Sequence, residues 1–365
     1  MDDTTPLLVR AVDADTHSLL VPRAPLSPSI RSVELQHGEM PPEQPPRFVM
    51  PRVDVFMVTG SVIPKVSVPA LGMAVWAAVW ATAFVHFGIK EVAIANQLIG
   101  ILTVVMGLLL VFRTNTAYDR YWEGRRMWGT VITHIRNLAR LISTSVQGPA
   151  TTETFERKHG AVNLLLAFAV ATKHHLRNER GIHYDDLRHL LVHVPEYARG
   201  ATHPWVENLP LEIIRKITQF VQLAKRSDWA DVPTTNAMQT AITGLVDCLS
   251  NLERIGSSPI PLAYSIHLKQ TLNLYLLSLP FQLVSSMGWT TIPVVFVASF
   301  TLLGIESIGT EIENPFGYDP NDIKLDRLCR LLGADLREVV ARMQSGQGDA
   351  SQWLTPTETT IDLSR

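Results

Sequence analysis

Three stretches of this chain run without a single Asp, Glu, Lys or Arg: residues 66–89, 92–112 and 270–305. A helix needs about 20 apolar residues to cross the hydrocarbon core of a bilayer. The first two runs can each span once. The third is long enough to span twice, and "SSMGWTT" at 285–291 gives it a polar, glycine-containing break near its middle. Only "KE" at 90–91 separates the first two runs, so they form a hairpin. The expected crossings are therefore four, at about 66–89, 92–112, 270–287 and 291–310. Charged residues make up only 18% of the chain, below the usual quarter, and the mean hydropathy is +0.13.

The bases orient these spans. The two short hairpin loops offer only Lys90, whereas Arg47, Arg52 and Lys65 precede the first span and Arg113 to Arg140 follow the second. Bases concentrate on the cytoplasmic side. The expectation is an integral, multi-pass membrane protein with both termini cytoplasmic, the cell membrane being favoured. The opening "MDDTTPLLVRAVDADTH" lacks a basic region followed by an apolar one, so no cleaved signal peptide is expected.

Residues 1–50, with the patch "PPEQPPRF", read as a disordered arm, and 341–365 as a shorter tail. Between the spans, residues 113–265 mix apolar and charged side chains at helical spacing, as in "LPLEIIRKITQFVQLAKR". The fold class expected is all-α: four membrane helices extended by a cytosolic helical bundle. At "VFRTNTAYDRYWEGRRMWG" (111–129) the apolar run becomes charged without a break. The second helix is therefore expected to leave the membrane without stopping.

Several functions are excluded at this level. A net charge of −2 does not suit a generally basic nucleic-acid binder. Cys248 and Cys329 are too few for a disulfide framework or a four-cysteine zinc site, and are expected buried and reduced. His174–His175 are adjacent, and His189 and His193 stand four apart, a spacing that can hold zinc. With no HExxH and no third ligand nearby, a polar helix surface is the reading. No Walker loop, GxSxG or GxGxxG is present, so no enzyme is expected.

Two groups of residues remain as candidate sites. Val104, Leu108 and Phe112 recur every four residues in the second span, beside a row of small residues, Ala93, Gly100 and Gly107. Small residues let helices approach closely in lipid, and large apolar side chains presented alongside can line a constriction that gates by dewetting. The plainer reading is contact with lipid or a neighbouring helix. After the last span, "IENPFGYDPNDIKLD" places Glu311, Asn314, Asp319 and Asp322 around a Pro-Gly turn. Calcium takes six to eight oxygen ligands, though these are also ordinary turn residues. Glu306 is expected to pair with a base such as Arg113. Glu123 and Arg126 are expected to pair one turn apart, and Trp122 and Trp128 to pack against neighbouring helices.

Four segments, "TGSVIPKV" (59–66), "FRTNTAYDRYWEGRRMWG" (112–129), "ERIGSSPIPLAYSIHLK" (253–269) and "GIESIGTEIENPFGYDPNDIKLD" (304–326), resemble successive signatures of the bestrophin family, over about residues 52–330. The resemblance implies a channel domain at 51–340, a homopentamer around one central pore, and passive conduction of small monovalent ions. Aligned on the Phe that opens the "FR" signature, the family's apolar neck falls on Val104, Leu108 and Phe112. A second, cytosolic constriction is expected in the region of Ile213 and Ile217. The loop resembles the calcium clasp of animal members, with Asn314, Asp319 and Asp322 on ligand positions and Glu311 where a Gln stands. Tyr318, Pro320 and Asn321 replace acids of the animal proteins, which weakens the local field. The expected partners are monovalent ions, chloride first, with membrane lipid and further copies of the chain; no nucleic acid is expected. No cofactor is required, and calcium is the candidate ligand of the loop. The alternatives are a monovalent cation channel of the bacterial type and a non-conducting membrane scaffold.

Overall fold

The computed structural model describes residues 57–58, 60–92, 97–197 and 206–345. The expected arm at 1–50, Ala93 of the small-residue row and residues 346–365 of the expected tail lie outside the described residues. Nine α-helices of seven residues or more are described, and among the described residues there is no strand. They are α1 (Ile63–Val85), α2 (Gln97–Thr144), α3 (Thr152–Leu176), α4 (Asp185–Leu191), α5 (Leu209–Arg226), α6 (Val232–Ser257), α7 (Leu262–Met287), α8 (Thr291–Glu313) and α9 (Leu325–Gln344).

Among the described residues, three stretches are long and apolar enough to cross a membrane: Ile63–Val85, Gly100–Thr144 and Leu262–Glu313. The last comprises α7 and α8, divided by a short 3-10 turn at Gly288–Thr290. Gly288 takes φ +53, a left-handed conformation that a glycine adopts without steric cost, and this reverses the chain. The polar break in the sequence is this reversal. Helix α1 packs along α8 in the opposite sense. Lys65 at its start bonds Glu311 near the end of α8, and the space a side chain at Gly288 would fill borders Val85 at the other end.

Helix α2 has 48 residues and contains no proline, so it rises about 72 Å at roughly 1.5 Å per residue. That is more than twice a hydrocarbon core of about 30 Å. Its upper part shares one apolar cluster with α1, α7 and α8, including Met106, Leu110, Leu272, Leu276 and Val295. Its lower part enters a second, larger cluster with α3, α5, α6 and α9, around Trp128, Ile135, Phe168, Ile217 and Leu245. One helix therefore belongs to both layers.

Side-chain caps start the helices of the lower bundle. Thr151, Asn208 and Asp231 accept the backbone N–H groups of Thr154, Leu211 and Thr234, so one exposed donor of α3, α5 and α6 is satisfied. Pro210 and Pro233 sit in the first turns of α5 and α6, where no N–H is needed. Cys248 and Cys329 are buried and free, and burial pushes their thiols up to about 11 and about 12.

Candidate functional site

Helix α2 has a buried face and an open one within the apolar layer. Met106, Leu110 and Arg113 are 1%, 3% and 2% exposed, whereas Val104, Leu108 and Phe112 are 72%, 55% and 56% exposed. The spacing of four keeps the latter three on one stripe, because four residues overshoot a turn of 3.6 only slightly. The opposite face is fixed by polar bonds to α7: Tyr264 donates to the Leu109 carbonyl at 3.1 Å, and Thr103 and Tyr275 share a hydrogen bond of 3.0 Å.

Directly below Phe112, the buried Arg113 guanidinium ties three elements together. It donates to Glu313 Oε2 at 2.8 Å, to Ser265 Oγ at 3.2 Å and to Thr310 Oγ1 at 3.4 Å. Glu313 Oε1 in turn accepts the backbone N–H of Ile260 at 3.0 Å. Arg120, two turns further on, donates to the carbonyls of Glu313, Ser258 and Ile255. These bonds replace the pairings expected from sequence. Glu306 pairs with Lys269 at 3.4 Å rather than with Arg113, because the Arg113 side chain points down the helix to Glu313. Glu123 accepts from Arg254 of α6 at 2.6 Å rather than from Arg126. A partner on a packed neighbouring helix offers a bond that one on the same exposed surface does not.

The loop after α8 is pinned by Phe316, which is fully buried against α2 at Gly124; a Cβ there would stand 3.1 Å from the ring. Around it, Lys65 Nζ lies 3.1 Å from Glu311 Oε2 and 3.8 Å from Asp319 Oδ1. The Asn321 amide donates to Glu311 Oε1 at 2.8 Å and to the Gly60 carbonyl at 2.9 Å. Asn314 Oδ1 accepts the Phe316 N–H at 3.5 Å. Asp322 is 5% exposed; its Oδ2 accepts the Asp319 N–H at 2.7 Å, while its Oδ1 is buried without a hydrogen-bond partner. Burial raises the Asp322 carboxyl above its ordinary value. An ammonium group thus already neutralises two of the four candidate calcium ligands. Among the described residues, no group of three or more His, Cys, Asp or Glu is placed to hold a metal. The residues present fit an internal lysine better than a divalent ion.

Comparison with known proteins matches this arrangement to a family. Residues 44–338 match the family model described as bacterial and fungal bestrophin protein. The chain belongs to the bacterial and fungal bestrophin family. A voltage-dependent anion channel-forming protein of Nostoc sp. is 44% identical over 254 residues, 69% of this chain and 80% of that one. A protein of the same description from Mesorhizobium japonicum is 28% identical over 320 residues, 87% of this chain and 97% of that one. Among solved structures, a bacterial bestrophin homologue from Klebsiella pneumoniae superposes with TM-score 0.63 at 26% identity, over 76% of this chain and 99% of that chain.

Beside the loop, this bestrophin carries a polar network that the sequence did not announce. Lys173, 3% exposed, bonds both Asp186 and Asp326, the latter at 2.8 Å. Arg177 reaches Asp326 Oδ2 at 3.0 Å and the Phe316 carbonyl at 3.1 Å, and lies 4.1 Å over the Tyr318 ring. His174 bridges Glu179 and Asp186, and Tyr318 donates to Glu179. The signal was present only as "TKHHLR", a basic helix end, and its acidic partners stand up to 153 residues away. The other histidine pair does not form a site: α4 ends at Leu191, so His189 and His193 are not on one helix face, and His193 lies against Gly160. Burial lowers the His193 imidazole below its ordinary value. Ile213 and Ile217 are fully buried in the bundle and line no constriction in the chain. Of the two tryptophans, Trp128 is 1% exposed, but Trp122 is 56% exposed in the single chain.

The network sets an acid limit. Burial alone would raise the Asp326 carboxyl, but the bonds from Lys173 and Arg177 outweigh it and bring it to about 2. Asp186 and Glu179 are lowered by their own partners in the same way. A carboxyl lowered on folding stabilises the fold above its unfolded value and ceases to do so as pH falls through the folded one. Asp326 therefore loses its contribution as pH falls from 3.8 towards about 2. The raised Asp322 works in the opposite direction. Thermal melts between about pH 6 and about pH 2, a range that spans the ordinary carboxylate values and the lowered Asp326 one, are expected to show stability falling with pH in the wild type. The fall should be smaller in Asp326→Asn, and equal slopes in the two proteins would contradict this assignment.

Proposed function

We propose that this protein is a passive channel for chloride and other small monovalent anions. It is a channel protein of the bestrophin family and not an enzyme. In this reading each chain crosses the membrane four times, five copies surround one pore, and Val104, Leu108 and Phe112 of each copy form its neck. The observation that carries it is the open stripe on α2: three large apolar side chains left exposed on a helix whose other face is buried. In a pentamer that stripe would turn to the axis. The outward stripe of α1, with Val68, Leu71, Val75 and Val79 all more than half exposed, would meet lipid.

Four crossings are supported by the way the ends line up. Lys65, Arg113, Ser265, Glu311 and Glu313 gather at one level, and Val85 and Gly288 at the other. Helices α7 and α8 have 26 and 23 residues, each enough for one span. The even number returns both termini to the cytoplasmic side of the membrane. The anion preference rests on the relatives described as anion channel-forming proteins. An apolar neck has no charge of its own, so the sign of the ion is chosen by fields outside it. Calcium is outside this mechanism, because Lys65 holds Glu311 and Asp319.

The test is the reversal potential of the purified protein in a planar bilayer under a KCl gradient, with and without micromolar calcium. The expected value lies near the chloride equilibrium potential and does not move with calcium. A value near the potassium potential would make this a cation channel. A calcium-dependent current would restore the loop as a clasp. Silence from well-folded pentamers would favour a scaffold that recruits partners through its cytosolic bundle.

A further inference from the structure

Below the neck the exposed stripe of α2 does not end. Stepping down from Phe112 by three or four residues reaches Asn115, Asp119, Trp122 and Arg126, all exposed on the same continuous helix. Asp119 lies seven residues below Phe112, about 10 Å along the axis, and Arg126 a further 10 Å or so. Seven residues return a helix to within about 20° of the same direction, so both charges face the way Phe112 faces. Neither side chain takes part in an ion pair among the described residues, whereas Arg120 is held by the Glu313, Ser258 and Ile255 carbonyls, Glu123 by Arg254 and Arg136 by Asp335. Arg120, Glu123 and Arg136 of the lower part of α2 are thus held by neighbouring elements, whereas Asp119 and Arg126, in line with Phe112, are open.

We propose that Asp119 and Arg126 are the specificity-determining charges of the channel, repeated around the axis as a ring of carboxylates just beneath the neck and a ring of guanidinium groups beyond it. The inference rests on the channel reading and deepens it. The dry neck cannot distinguish an anion from a cation by sign, so the fixed charges in the vestibule beyond it make that choice, and anion preference requires the Arg126 ring to outweigh the Asp119 ring. The Arg126 ring gathers anions in the cytoplasmic vestibule, and the Asp119 ring opposes their passage into the neck. The balance of the two sets the ratio of anion to cation permeability. Because the rings lie in series on one side of the neck, the same arrangement makes current depend on the direction of the applied voltage.

The experiment compares reversal potentials of the full-length wild type, Asp119→Asn and Arg126→Gln in planar bilayers under a KCl gradient. Both side chains are exposed and unpaired in the single chain, so the variants keep its packing, and size-exclusion elution against the wild type checks assembly. Charged clefts change local ion concentration by about tenfold or more, and a shift of that order in the chloride-to-potassium permeability ratio is expected. Asp119→Asn should raise the ratio, Arg126→Gln should lower it, and the double variant should lie between. Correctly assembled variants that conduct with the wild-type reversal potential would overturn the proposal while leaving the channel reading intact. Shifts of the same sign in both variants would also overturn it. A silent wild type would remove the channel reading and this inference with it.

Discussion

Arg113→Leu is expected to prevent the protein from assembling, with a loss of about 3–5 kcal/mol in the stability of the chain. The guanidinium is 2% exposed and makes its ion pair with Glu313 at 2.8 Å. Removing it leaves Glu313 partly buried at 17% side-chain exposure, with only the Ile260 N–H as a partner. Ser265 and Thr310 lose a donor at the same time. A loss of this size is a large part of a domain stability of about 5–15 kcal/mol. The measurement is thermal unfolding of the detergent-solubilised protein, followed by size-exclusion chromatography. The double variant Arg113→Leu/Glu313→Leu should recover part of the loss, because a buried ion pair replaced by apolar groups is often nearly neutral. A single variant that melts and elutes like the wild type would refute the role given to this pair.

The second large effect is on function and not on stability. Alanine at Val104, Leu108 and Phe112 together is expected to raise single-channel conductance severalfold and to abolish closure by drying of the neck. Dewetting needs a narrow stretch lined by bulky apolar groups, and the triple variant widens it while removing those groups. All three side chains are more than half exposed in the single chain, so the fold within a subunit should change by no more than about 0.5 kcal/mol per site. Single-channel recording beside a melting curve separates the two readouts. Unchanged conductance and gating in a normally folded triple variant would remove these residues from the pore.

Helix α2 shows what could be read from residues alone. Its unbroken run from the apolar layer into the bundle was legible at 111–129 because no proline or glycine pair interrupts the helical pattern as the charges begin. The reversal between α7 and α8 was legible too, since a glycine among polar residues is what such a turn requires. Partners were not legible. Glu306 finds Lys269, and Glu123 finds Arg254, across distances in sequence that no local spacing encodes. Lys65 stands in a segment that drew notice for its resemblance, yet its role beside Glu311 depends on α1 and α8 running antiparallel. Ile213 and Ile217 illustrate the reverse: apolar residues in a channel protein are still more often core than lining. The stripe of Val104, Leu108 and Phe112 could be picked out by period, but only the burial of the opposite face distinguishes an open surface from a packed one.

The single helix shared by the two layers has a mechanical consequence. A joint between the two layers would let either half move alone. Here the bundle grips the lower half of α2 through Trp128, Ile135 and Phe316, and the upper half carries the exposed stripe of Val104, Leu108 and Phe112. Such a rod acts as a lever. A tilt imposed on the bundle, by a bound molecule or by strain between subunits, must reappear as displacement of Phe112, because a helix without a proline offers nowhere for the motion to be absorbed.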